Sequence, residues 1–569
     1  MSTLSILENY TPQDFGLTEY TSYRTHPETG AEVQLEVVEF AAYTDKRFAA
    51  AAAPVGIGKM LVAITLAKLT GLRTAIVVPF KGLQDQYAEK LGKHLVDIRG
   101  RSNYDCADYQ HLDCRGGASM GCRYIQGKSC TYDVVKARAR DAQVVVTNYD
   151  YWLNVNDHVG GLQHTQEEAK WFGENPIEML ILDEGDVAGD KVADYLSLQL
   201  SENEIKRWMD PRIMKDDLQD WQSHIKNCGI IADLTEEIRT AGMELAFLGR
   251  KATKEQVAEL HKQERLLGKI ERIAGARDNW VCDAKIGTRF GRQWTFDIIW
   301  PGRETEQYLF CGIPKVVVMS GSLLPKDMAW MGVKKEDYEY KQWARIFPGN
   351  RQPIYICPPR KKNDKGQLAA VMVQRNMPEE AKRYWVEWID RIIDGRLDRK
   401  GLIQTSSYEY QKYLMQHSRH ADLMEGNTDD PDSDSAAEVA ERFYKMSAPR
   451  ILVSPSFARG WDFSFDRAEY TIISKVPFVP TQSKVMEARL ERDEKYGDHV
   501  SMKKIEQGAG RVMRDVEDRG EVFLVDGHFT YFVKKCADKN LCQKWFGEAC
   551  RTVIDIPKAP AKLEINFEK

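Results

Sequence analysis

Ala53-Pro-Val-Gly-Ile-Gly-Lys-Met60 decides the fold, because its glycines and its lysine have the spacing of a phosphate-binding loop. In such a loop the backbone N–H groups surround a phosphate, and the N-terminus of the following helix favours its negative charge. Gly56 and Gly58 supply the permissive backbone, and we expect Lys59 to reach the β- and γ-phosphates of a nucleotide. A helical pattern follows from Leu61 to Leu69, so the stretch predicts a strand–loop–helix unit of an α/β domain.

The residue after Lys59 departs from the usual pattern of such loops. Ser or Thr normally stands there, and its hydroxyl binds Mg²⁺. Met60 offers a thioether, which is a poor ligand for a hard cation. Three outcomes stay open: ATP binds with a weakened metal site, a water replaces the hydroxyl, or hydrolysis is slow or absent. The whole loop is expected to contact ATP: Ala53, Pro54, Val55, Gly56, Ile57, Gly58, Lys59 and Met60.

A second motif of nucleotide chemistry ends an apolar strand in Leu180-Ile-Leu-Asp-Glu-Gly-Asp186. Asp183 is expected to hold Mg²⁺ directly or through water, and Glu184 to polarise the attacking water. Taken alone, an acidic pair at a strand end is more often an ordinary exposed terminus. With a phosphate loop upstream, nucleotide hydrolysis is the better interpretation.

Four cysteines lie between these two motifs at a constant spacing of eight residues. They are Cys106, Cys114, Cys122 and Cys130. Zinc sites usually show pairs of ligands two to four residues apart, and this spacing does not. Four thiolates from a loop-rich segment can hold a [4Fe–4S] cluster, which is the interpretation we favour. Zinc, or four unrelated buried or free cysteines, remain as alternatives.

Short apolar, β-branched runs recur along the chain with helical stretches between them. Runs of this kind are typical of strands buried on both faces of a parallel sheet. They fall into two sets, which predicts two α/β domains. The runs are Thr74–Pro79, Ala142–Thr147, Met179–Asp183 and Lys315–Ser320 in the first set, and Gly401–Thr405, Arg450–Ser454, Tyr470–Ser474 and Glu521–Asp526 in the second.

Composition is that of an ordinary soluble globular chain, with 43% hydrophobic and 29% charged residues in 569. This length suggests about three or four domains. A net charge of −5 rules out a uniformly basic surface but leaves a local basic groove open. We find no signal peptide, no membrane-spanning run and no disulfide framework. We therefore expect an intracellular, reducing location, cytoplasmic or nucleoid-associated, and no membrane partner.

Two segments interrupt the first set of strands. Residues 101–140 are rich in Cys, Gly and Arg and have no clear periodicity. Residues 195–275 read as charged helices, and Thr253-Lys-Glu-Gln256 is a capping box at the start of one of them. The apolar stripe that follows this box has helical spacing, and we interpret it as core within the domain rather than as a partner-binding face.

Further motifs follow in a fixed order. Pro79–Gln86 looks like motif Ia and Ser320-Gly-Ser322 like motif III of DNA helicases, while Arg101–Cys106 and Val144–Tyr149 flank the cysteine segment. Three later segments resemble motifs IV, V and VI of these helicases, in that order: Gln404–Tyr408, Ser454–Phe463 and Gln507–Arg514. From about residue 20 to about residue 530, the ordered set resembles the iron–sulfur superfamily 2 DNA helicases of the XPD/DinG type.

This resemblance implies two RecA-like motor domains with ATP between them, and an Fe–S cluster insertion and a helical arch insertion in the first. Its motif VI implies that Arg511 and Arg514 brace the γ-phosphate and that Gln507 contacts the nucleotide or the attacking water. Its motif V places Gly460 and Asp462 at ATP. The implied domains are motor domain 1 at 1–100, 141–194 and 276–330, the cluster domain at 101–140, the arch at 195–275 and motor domain 2 at 331–569. The implied DNA contacts are Gln84, Asn148, Tyr149, Ser320, Ser322, Ser406 and Ser456.

The implied function is an ATP-dependent DNA helicase that moves along single-stranded or forked DNA, in the family's usual 5′ to 3′ direction, with a [4Fe–4S] cluster, Mg²⁺ and ATP as cofactors. Departures from the family pattern motivate an alternative, an ATP-binding DNA clamp or recruitment subunit with little or no hydrolysis. Met60 is one departure, and Asp186 is another because it stands where the family has a histidine. A separate departure, which concerns nucleotide preference, is the glutamine expected soon after Tyr23-Arg24, for which Gln34 is a poor substitute. No protein partner is indicated.

Overall fold

Buried runs of β-branched residues form two parallel sheets, and each sheet is the centre of one α/β domain. The structure, a computed structural model, describes residues 7, 10–26, 29–109, 112–119, 122, 130–156, 176–248, 253–288, 291–347, 349–362, 366–430, 433–458, 461, 463–513 and 517–561. None of the helices within these ranges is long and apolar enough to cross a membrane.

The strands include every apolar run that the sequence predicted as a strand. In chain order they are β1 Phe48–Ala52, β2 Thr74–Val78, β3 Val96–Asp97, β4 Val144–Asn148, β5 Met179–Asp183, β6 Leu198–Ser201, β7 Trp280–Thr288, β8 Gly291–Ile298, β9 Lys315–Met319, β10 Tyr338–Gln342, β11 Ile354–Ile356, β12 Arg360–Lys362, β13 Leu368–Ala370, β14 Lys400–Gln404, β15 Met424–Glu425, β16 Arg450–Ser454, β17 Tyr470–Ile473, β18 Glu521–Leu524 and β19 Cys550–Thr552.

Helices cover both faces of the two sheets. The α-helices are α1 Val33–Tyr43, α2 Lys59–Thr70, α3 Lys81–Leu91, α4 Cys114–Ser119, α5 Thr131–Asp141, α6 Tyr149–Asn156, α7 Ala188–Leu196, α8 Glu202–Ile205, α9 Leu218–Cys228, α10 Ile230–Leu248, α11 Lys254–Gly275, α12 Gly302–Thr305, α13 Pro325–Trp330, α14 Glu379–Asp394, α15 Tyr408–His417, α16 Ala436–Lys445, α17 Lys484–Arg492, α18 Tyr496–Ala509, α19 Phe529–Asp538 and α20 Lys544–Ala549.

The first sheet has the strand order β10-β1-β9-β5-β2-β4-β3, and all its strands are parallel. Alternate residues of its central strands enter two separate apolar cores, one on each face. This explains why β1, which is almost all alanine, is nevertheless a buried strand. Strand β10 pairs with β1, so the first sheet continues past residue 330, where the sequence analysis ended motor domain 1.

The second sheet is also entirely parallel and has the order β15-β16-β14-β17-β18-β11-β19. Two apolar cores again lie on its two faces. We call the units built on the two sheets the first and the second α/β domain. The prediction of two parallel α/β domains is confirmed.

The insertion expected at 195–275 is larger and less purely helical than predicted. The predicted capping box is present at the start of α11, where Thr253 Oγ1 accepts from Gln256 N at 3.3 Å. Helices α9, α10 and α11 are accompanied by a three-stranded antiparallel sheet with the order β6-β8-β7. Strands β7 and β8 follow residue 275, so the inserted unit extends to Ile298.

Helix α17 of the second α/β domain touches this inserted sheet. Arg489 donates to the carbonyls of Ile298, the last residue of β8, at 3.3 Å and of Ile299 at 2.8 Å, and Arg492 Nη2 donates to the carbonyl of Asp278, two residues before β7, at 3.2 Å. The backbone N–H of Lys484 donates to Asp283 at 3.4 Å. The insertion lies within the sequence of the first α/β domain, but it is in contact with both domains.

Candidate functional site

The phosphate-binding loop connects β1 to α2, as the sequence predicted. Gly56 and Gly58 both have a φ of +81°, a region that side chains with a Cβ rarely adopt, so glycine is required for this turn. Helix α2 begins at Lys59, which directs the positive end of the helix dipole towards the loop. Ala53, Pro54 and Ile57 are buried, and Val55 lies against Gly321 of the motif III segment.

Lys59 and Glu184 form an ion pair at the mouth of this loop, with 2.9 Å between Nζ and Oε1. Glu184 has a φ of +50° and directly follows β5. Its other oxygen accepts from the hydroxyl of Ser320 at 3.0 Å. Burial opposes ionisation of Glu184, but the adjacent Lys59 ammonium outweighs it and lowers the carboxyl pKa to about 2. Glu184 is therefore a carboxylate that is already oriented towards the phosphate site.

Asp183 lies deeper than Glu184, and both of its oxygens accept hydrogen bonds. The hydroxyl of Tyr87 donates to Oδ2 at 2.9 Å, and the backbone N–H of Glu184 donates to Oδ1 at 2.9 Å. Burial is the largest effect on Asp183 and raises its pKa to about 6. Both oxygens are thus oriented within the protein, which suits a ligand that holds Mg²⁺ through water.

Met60 is the second residue of α2, and its half-buried side chain packs against the apolar core on that face of the first sheet. The side chain that replaces the usual hydroxyl is therefore used in packing. Met60 therefore offers no oxygen ligand for Mg²⁺ at this position.

The second α/β domain contributes to the same site through α18. Gln507 Nε2 donates to Asp186 Oδ2 and to Ser322 Oγ, each at 3.0 Å. Ser322 also donates to Asp186 Oδ2 at 3.0 Å. Arg511 donates to the carbonyls of Gln507 at 2.9 Å and Trp461 at 2.8 Å. The motif II, III and VI segments that the sequence singled out are thus joined in one network across the two domains.

A cavity of about 430 Å³ opens beside this network, and Glu184, Asp186, Gln507 and Arg511 are among the residues that line it. Acidic groups from the first domain and a guanidinium from the second face the same space. Such an arrangement can bind a phosphate between the domains and orient a water against it. Gly460, Asp462 and Arg514, which were expected at ATP, lie outside the described residues.

Gln34 has a role that the sequence analysis underestimated. The residue is buried at the start of α1; its Nε2 donates to the carbonyl of Gly58 at 3.3 Å, and its Oε1 accepts from Arg24 N at 2.6 Å. The guanidinium of Arg24 donates to the carbonyl of Gly56. The pair Arg24–Gln34 therefore supports the phosphate loop, although their separation in sequence is longer than expected. Arg24 and Gln34 are therefore partners in the structure, although their spacing in the sequence did not indicate it.

Phe347, in the connection between the two domains, packs directly on the phosphate loop. A Cβ placed on Gly56 would lie 1.9 Å from Phe347 Cζ. Next to this contact is a second cavity, of about 550 Å³, whose lining includes Trp343, Arg345 and Trp545. The Arg345 guanidinium stands 4.9 Å from the centre of the Trp545 ring. Aromatic rings beside a phosphate loop are suited to holding a flat, uncharged ring system.

Five of the residues expected to touch DNA are buried. Gln84 donates to Asp97 at 2.5 Å and to the carbonyl of Ile98 at 3.0 Å, and it accepts from Asn148 at 2.9 Å. Asn148 also accepts from the backbone of Tyr151 at the first turn of α6. These amides already have protein partners, so the geometry does not place them where DNA could contact them. Tyr149, Ser320 and Ser322 are buried as well, and both serines face the acidic residues described above.

Ser406 and Ser456 differ from these five. Ser406 is exposed just after β14, and Ser456 is half-buried just after β16, so both lie at the carboxyl edge of the second sheet. The Ser456 hydroxyl pairs with the hydroxyl of Tyr408 at 2.8 Å and accepts from Asn427 at 3.3 Å. Ligands of open parallel sheets bind at this edge, so these two serines keep the position that a backbone-contacting role requires.

The four evenly spaced cysteines are all buried and come together as two pairs. Cys106 and Cys122 have 3.7 Å between their sulfurs, and Cys114 and Cys130 have 3.9 Å. Gly117 lies so close to Cys106 that a Cβ there would be 2.1 Å from the sulfur. Within the described ranges, no three or more His, Cys, Asp or Glu side chains are grouped closely enough to hold one metal ion.

The chemistry of these donors suits a thiolate-bound group. Burial raises the pKa of the Cys114 thiol to about 11, while Arg101, which donates to its sulfur at 3.6 Å, opposes that rise. A buried thiol of this kind ionises when a metal binds it. The segment thus brings four soft ligands together as two buried pairs rather than as one ring of four.

Parts of this chain are similar in sequence to known proteins. Residues 396–545 match the family described as Helicase C-terminal domain. The ATP-dependent DNA helicase YoaA of Haemophilus influenzae is 28% identical over 123 residues, which are 20% of this chain and 18% of that protein. The YoaA protein of Escherichia coli is 25% identical over 179 residues, which are 29% of this chain and 27% of that protein.

Solved structures share the fold over most of the chain. The structure named XPD_Helicase has a TM-score of 0.56 and 15% identity, and covers 92% of this chain and 98% of its own. Xpd4 of S. tokodaii has a TM-score of 0.56 and 13% identity, and covers 91% of this chain and 99% of its own. Sequence and fold together confirm the resemblance of this chain to the superfamily 2 helicases of the XPD/DinG type.

Proposed function

We propose that the chain is an ATP-dependent DNA helicase that moves along single-stranded DNA from 5′ to 3′ and opens forked duplexes. The observation that carries this proposal is the network joining Asp186 and Ser322 of the first α/β domain to Gln507 of the second. A nucleotide bound at the loop would contact both domains through it. The relatives named YoaA are ATP-dependent DNA helicases, which supports the same proposal.

In this mechanism Lys59 leaves Glu184 and binds the β- and γ-phosphates, and Glu184 then orients the attacking water. Mg²⁺, held through Asp183, would neutralise charge on the phosphates. Arg511, together with Arg514, would brace the γ-phosphate from the second domain, with Gly460 and Asp462 nearby. The cavity beside Phe347 would receive the base. Lys59 forms an ion pair with Glu184, so binding of the phosphates to Lys59 would exchange one ion pair for another.

For DNA, we propose that Ser406 and Ser456 contact the phosphate backbone at the carboxyl edge of the second sheet. Backbone contacts are largely independent of base sequence and weaken as salt rises. Residues 101–140 would form the cluster domain and the unit starting at 195 the arch, both beside the path of the strand. Such a protein works where DNA is, in the cytoplasm or on the nucleoid.

The cysteines Cys106, Cys114, Cys122 and Cys130 would together hold a [4Fe–4S] cluster, which would brace the segment between β3 and β4. Metal analysis of anaerobically purified protein tests this assignment. About four iron atoms per chain support it, and one zinc would replace it with the zinc alternative. Cys114→Ser should lower the metal content, whereas the control Cys357→Ser, a buried cysteine of the second domain, should not.

Steady-state ATP hydrolysis, with and without single-stranded DNA, tests the function. We expect DNA to stimulate turnover, and Glu184→Gln to abolish hydrolysis while ATP still binds. Unwinding of duplexes with a 5′ or a 3′ single-stranded tail reports direction. ATP and DNA binding without hydrolysis in the natural chain, but with hydrolysis in Met60→Thr, would favour the clamp or recruitment subunit instead.

A further inference from the structure

A cluster of buried charges surrounds Asp186 at the contact between the two domains. Asp186 and Asp327 belong to the first α/β domain, and His499 and Lys503 belong to α18 of the second. The side chain of Lys503 is 7% exposed, and those of the other three are 2% exposed or less. Charges this deeply buried between two domains require partners on both sides.

Lys503 makes the central contacts of this cluster. Its Nζ donates to Asp327 Oδ1 at 2.6 Å and to the carbonyl oxygen of Asp186 at 3.0 Å, and it lies 3.5 Å from Asp186 Oδ2. His499 Nε2 is 3.1 Å from Asp327 Oδ1, and the backbone N–H of Leu324 donates to Asp327 Oδ2 at 2.8 Å. One ammonium group thus contacts two acidic residues of the opposite domain.

These contacts matter because of the residue at position 186. The family to which the sequence is similar has a histidine there, which can be neutral, whereas Asp186 brings a negative charge into the interface. A buried carboxylate is costly unless it is hydrogen-bonded and paired with a cation. Ser322 and Gln507 supply the hydrogen bonds, and Lys503 supplies the positive charge.

The ionisation of the cluster agrees with this interpretation. Burial would lower the pKa of Lys503, but Asp327 and Asp186 outweigh it and raise that pKa. Burial would likewise raise the pKa of Asp327, but Lys503 and His499 lower it to about 2. Lys503 is therefore an ammonium and Asp327 a carboxylate at neutral pH.

We propose that Lys503 is a positioning residue that couples closure of the two domains to the nucleotide site through Asp186. In the closed arrangement Lys503 holds Asp186, which in turn orients Gln507 and Ser322. When the domains separate, Lys503 and both aspartates become hydrated, so the orientation is lost. This inference rests on the proposed helicase function, because it concerns how ATP turnover responds to DNA.

Three variants test it: Lys503→Met, Lys503→Arg and Asp186→Asn, together with the double variant Asp186→Asn/Lys503→Met. The readout is the ratio of DNA-stimulated to basal turnover, with KM for ATP measured separately, in the natural chain and in a Met60→Thr background. Lys535→Met is the matched control, because Lys535 also pairs with an aspartate on α18, at 2.7 Å, but on the surface.

We expect Lys503→Met to lower the DNA-stimulated ratio by about tenfold or more with KM for ATP changed by less than about threefold, and Lys503→Arg to keep most of the ratio. The effects of Lys503→Met and Asp186→Asn on the ratio should be less than multiplicative in the double variant, since the two residues act together. A ratio in Lys503→Met equal to that of Lys535→Met, or independent effects that multiply in the double variant, would overturn the inference.

Hydrogen exchange gives a second readout that does not need turnover. Lys503→Met should raise exchange in α13, which carries Asp327 on the opposite domain, and Lys535→Met should not. Unchanged exchange in α13 would count against the inference even in a chain that folds normally. If neither the unmodified protein nor any variant hydrolyses ATP, even in the Met60→Thr background, the proposed function fails. If hydrogen exchange in α13 nevertheless rises in Lys503→Met, the link between the domains stands.

Discussion

Replacing Gly56 by alanine tests the packing of the phosphate loop against the connection between the domains. Gly56 has a φ of +81°, and an added Cβ would lie 1.9, 2.6 and 3.0 Å from three atoms of the Phe347 ring. Two costs therefore arise, backbone strain and a steric clash. Gly71, with a φ of +66° and open space around it, isolates the first cost.

The magnitudes follow from these distances. Gly71→Ala should lower the free energy of unfolding by about 1–2 kcal/mol, the cost of a left-handed residue with a Cβ. Gly56→Ala adds a clash with a ring that is 5% exposed and cannot turn away freely, so its total should be about 3–5 kcal/mol. Phe347→Ala alone should cost about 3–5 kcal/mol, the usual range for a buried phenylalanine.

The decisive measurement is Gly56→Ala in the Phe347→Ala background. Without the ring only the backbone strain remains. The free-energy cost of Gly56→Ala in this background should therefore fall to about 1–2 kcal/mol and match that of Gly71→Ala. Thermal unfolding followed by calorimetry can resolve this difference, since each kcal/mol shifts the transition by about 2 °C in a domain of this size. Equal costs of Gly56→Ala in both backgrounds would refute the contact.

Three further results are expected. Arg396→Met should lower the free energy of unfolding of the second domain by about 3–5 kcal/mol, because it leaves the buried Glu521 carboxylate without the guanidinium that donates two hydrogen bonds of 2.8 Å to it. Adding Glu521→Leu should restore most of the lost stability in a denaturant titration. Met60→Thr should cost about 1 kcal/mol in stability, from lost packing and helix propensity, yet raise Mg²⁺-dependent ATP turnover; unchanged turnover over a full Mg²⁺ titration would count against a missing hydroxyl ligand. Burial raises the pKa of Asp183 to about 6, so protons compete with Mg²⁺ at this carboxylate below that pH. The affinity for Mg²⁺ should therefore fall as the pH drops below 6, by about tenfold per pH unit at the limit, and an affinity independent of pH would exclude Asp183 as a ligand.

Much of the fold could be predicted because its central strands are buried on both faces and therefore read as continuous β-branched runs. Three strands of the first sheet gave no such signal, and one of them, β3, is only two residues long. Strand β1 is mostly alanine, which has little strand preference, and it is recognisable only by the loop that follows it. Strand β10 is a half-exposed edge strand with charged residues, so the sequence analysis left it outside the first domain.

The candidate site shows a similar limit. Lys59, Glu184 and Gln507 could be predicted because each belongs to a motif whose spacing reflects its chemistry. Phe347 and Lys503 could not, since their contacts join segments far apart in the chain and neither belongs to a recognisable pattern. Motifs also identify segments rather than the side chains that face outward, which is why Gln84 was expected at DNA although it is buried.

The contacts of α17 with the inserted sheet have a mechanical consequence. Arg489 and Arg492 donate to backbone carbonyls, so these two contacts do not depend on side chains of the insertion. Hydrogen bonds of this kind contribute about 1 kcal/mol each, so the attachment as a whole opposes separation of the domains by about 2–4 kcal/mol. When the two domains separate, either these hydrogen bonds break or the insertion moves with the second domain. Under the proposed function, a DNA strand held by the insertion would in both cases be subject to force from both domains.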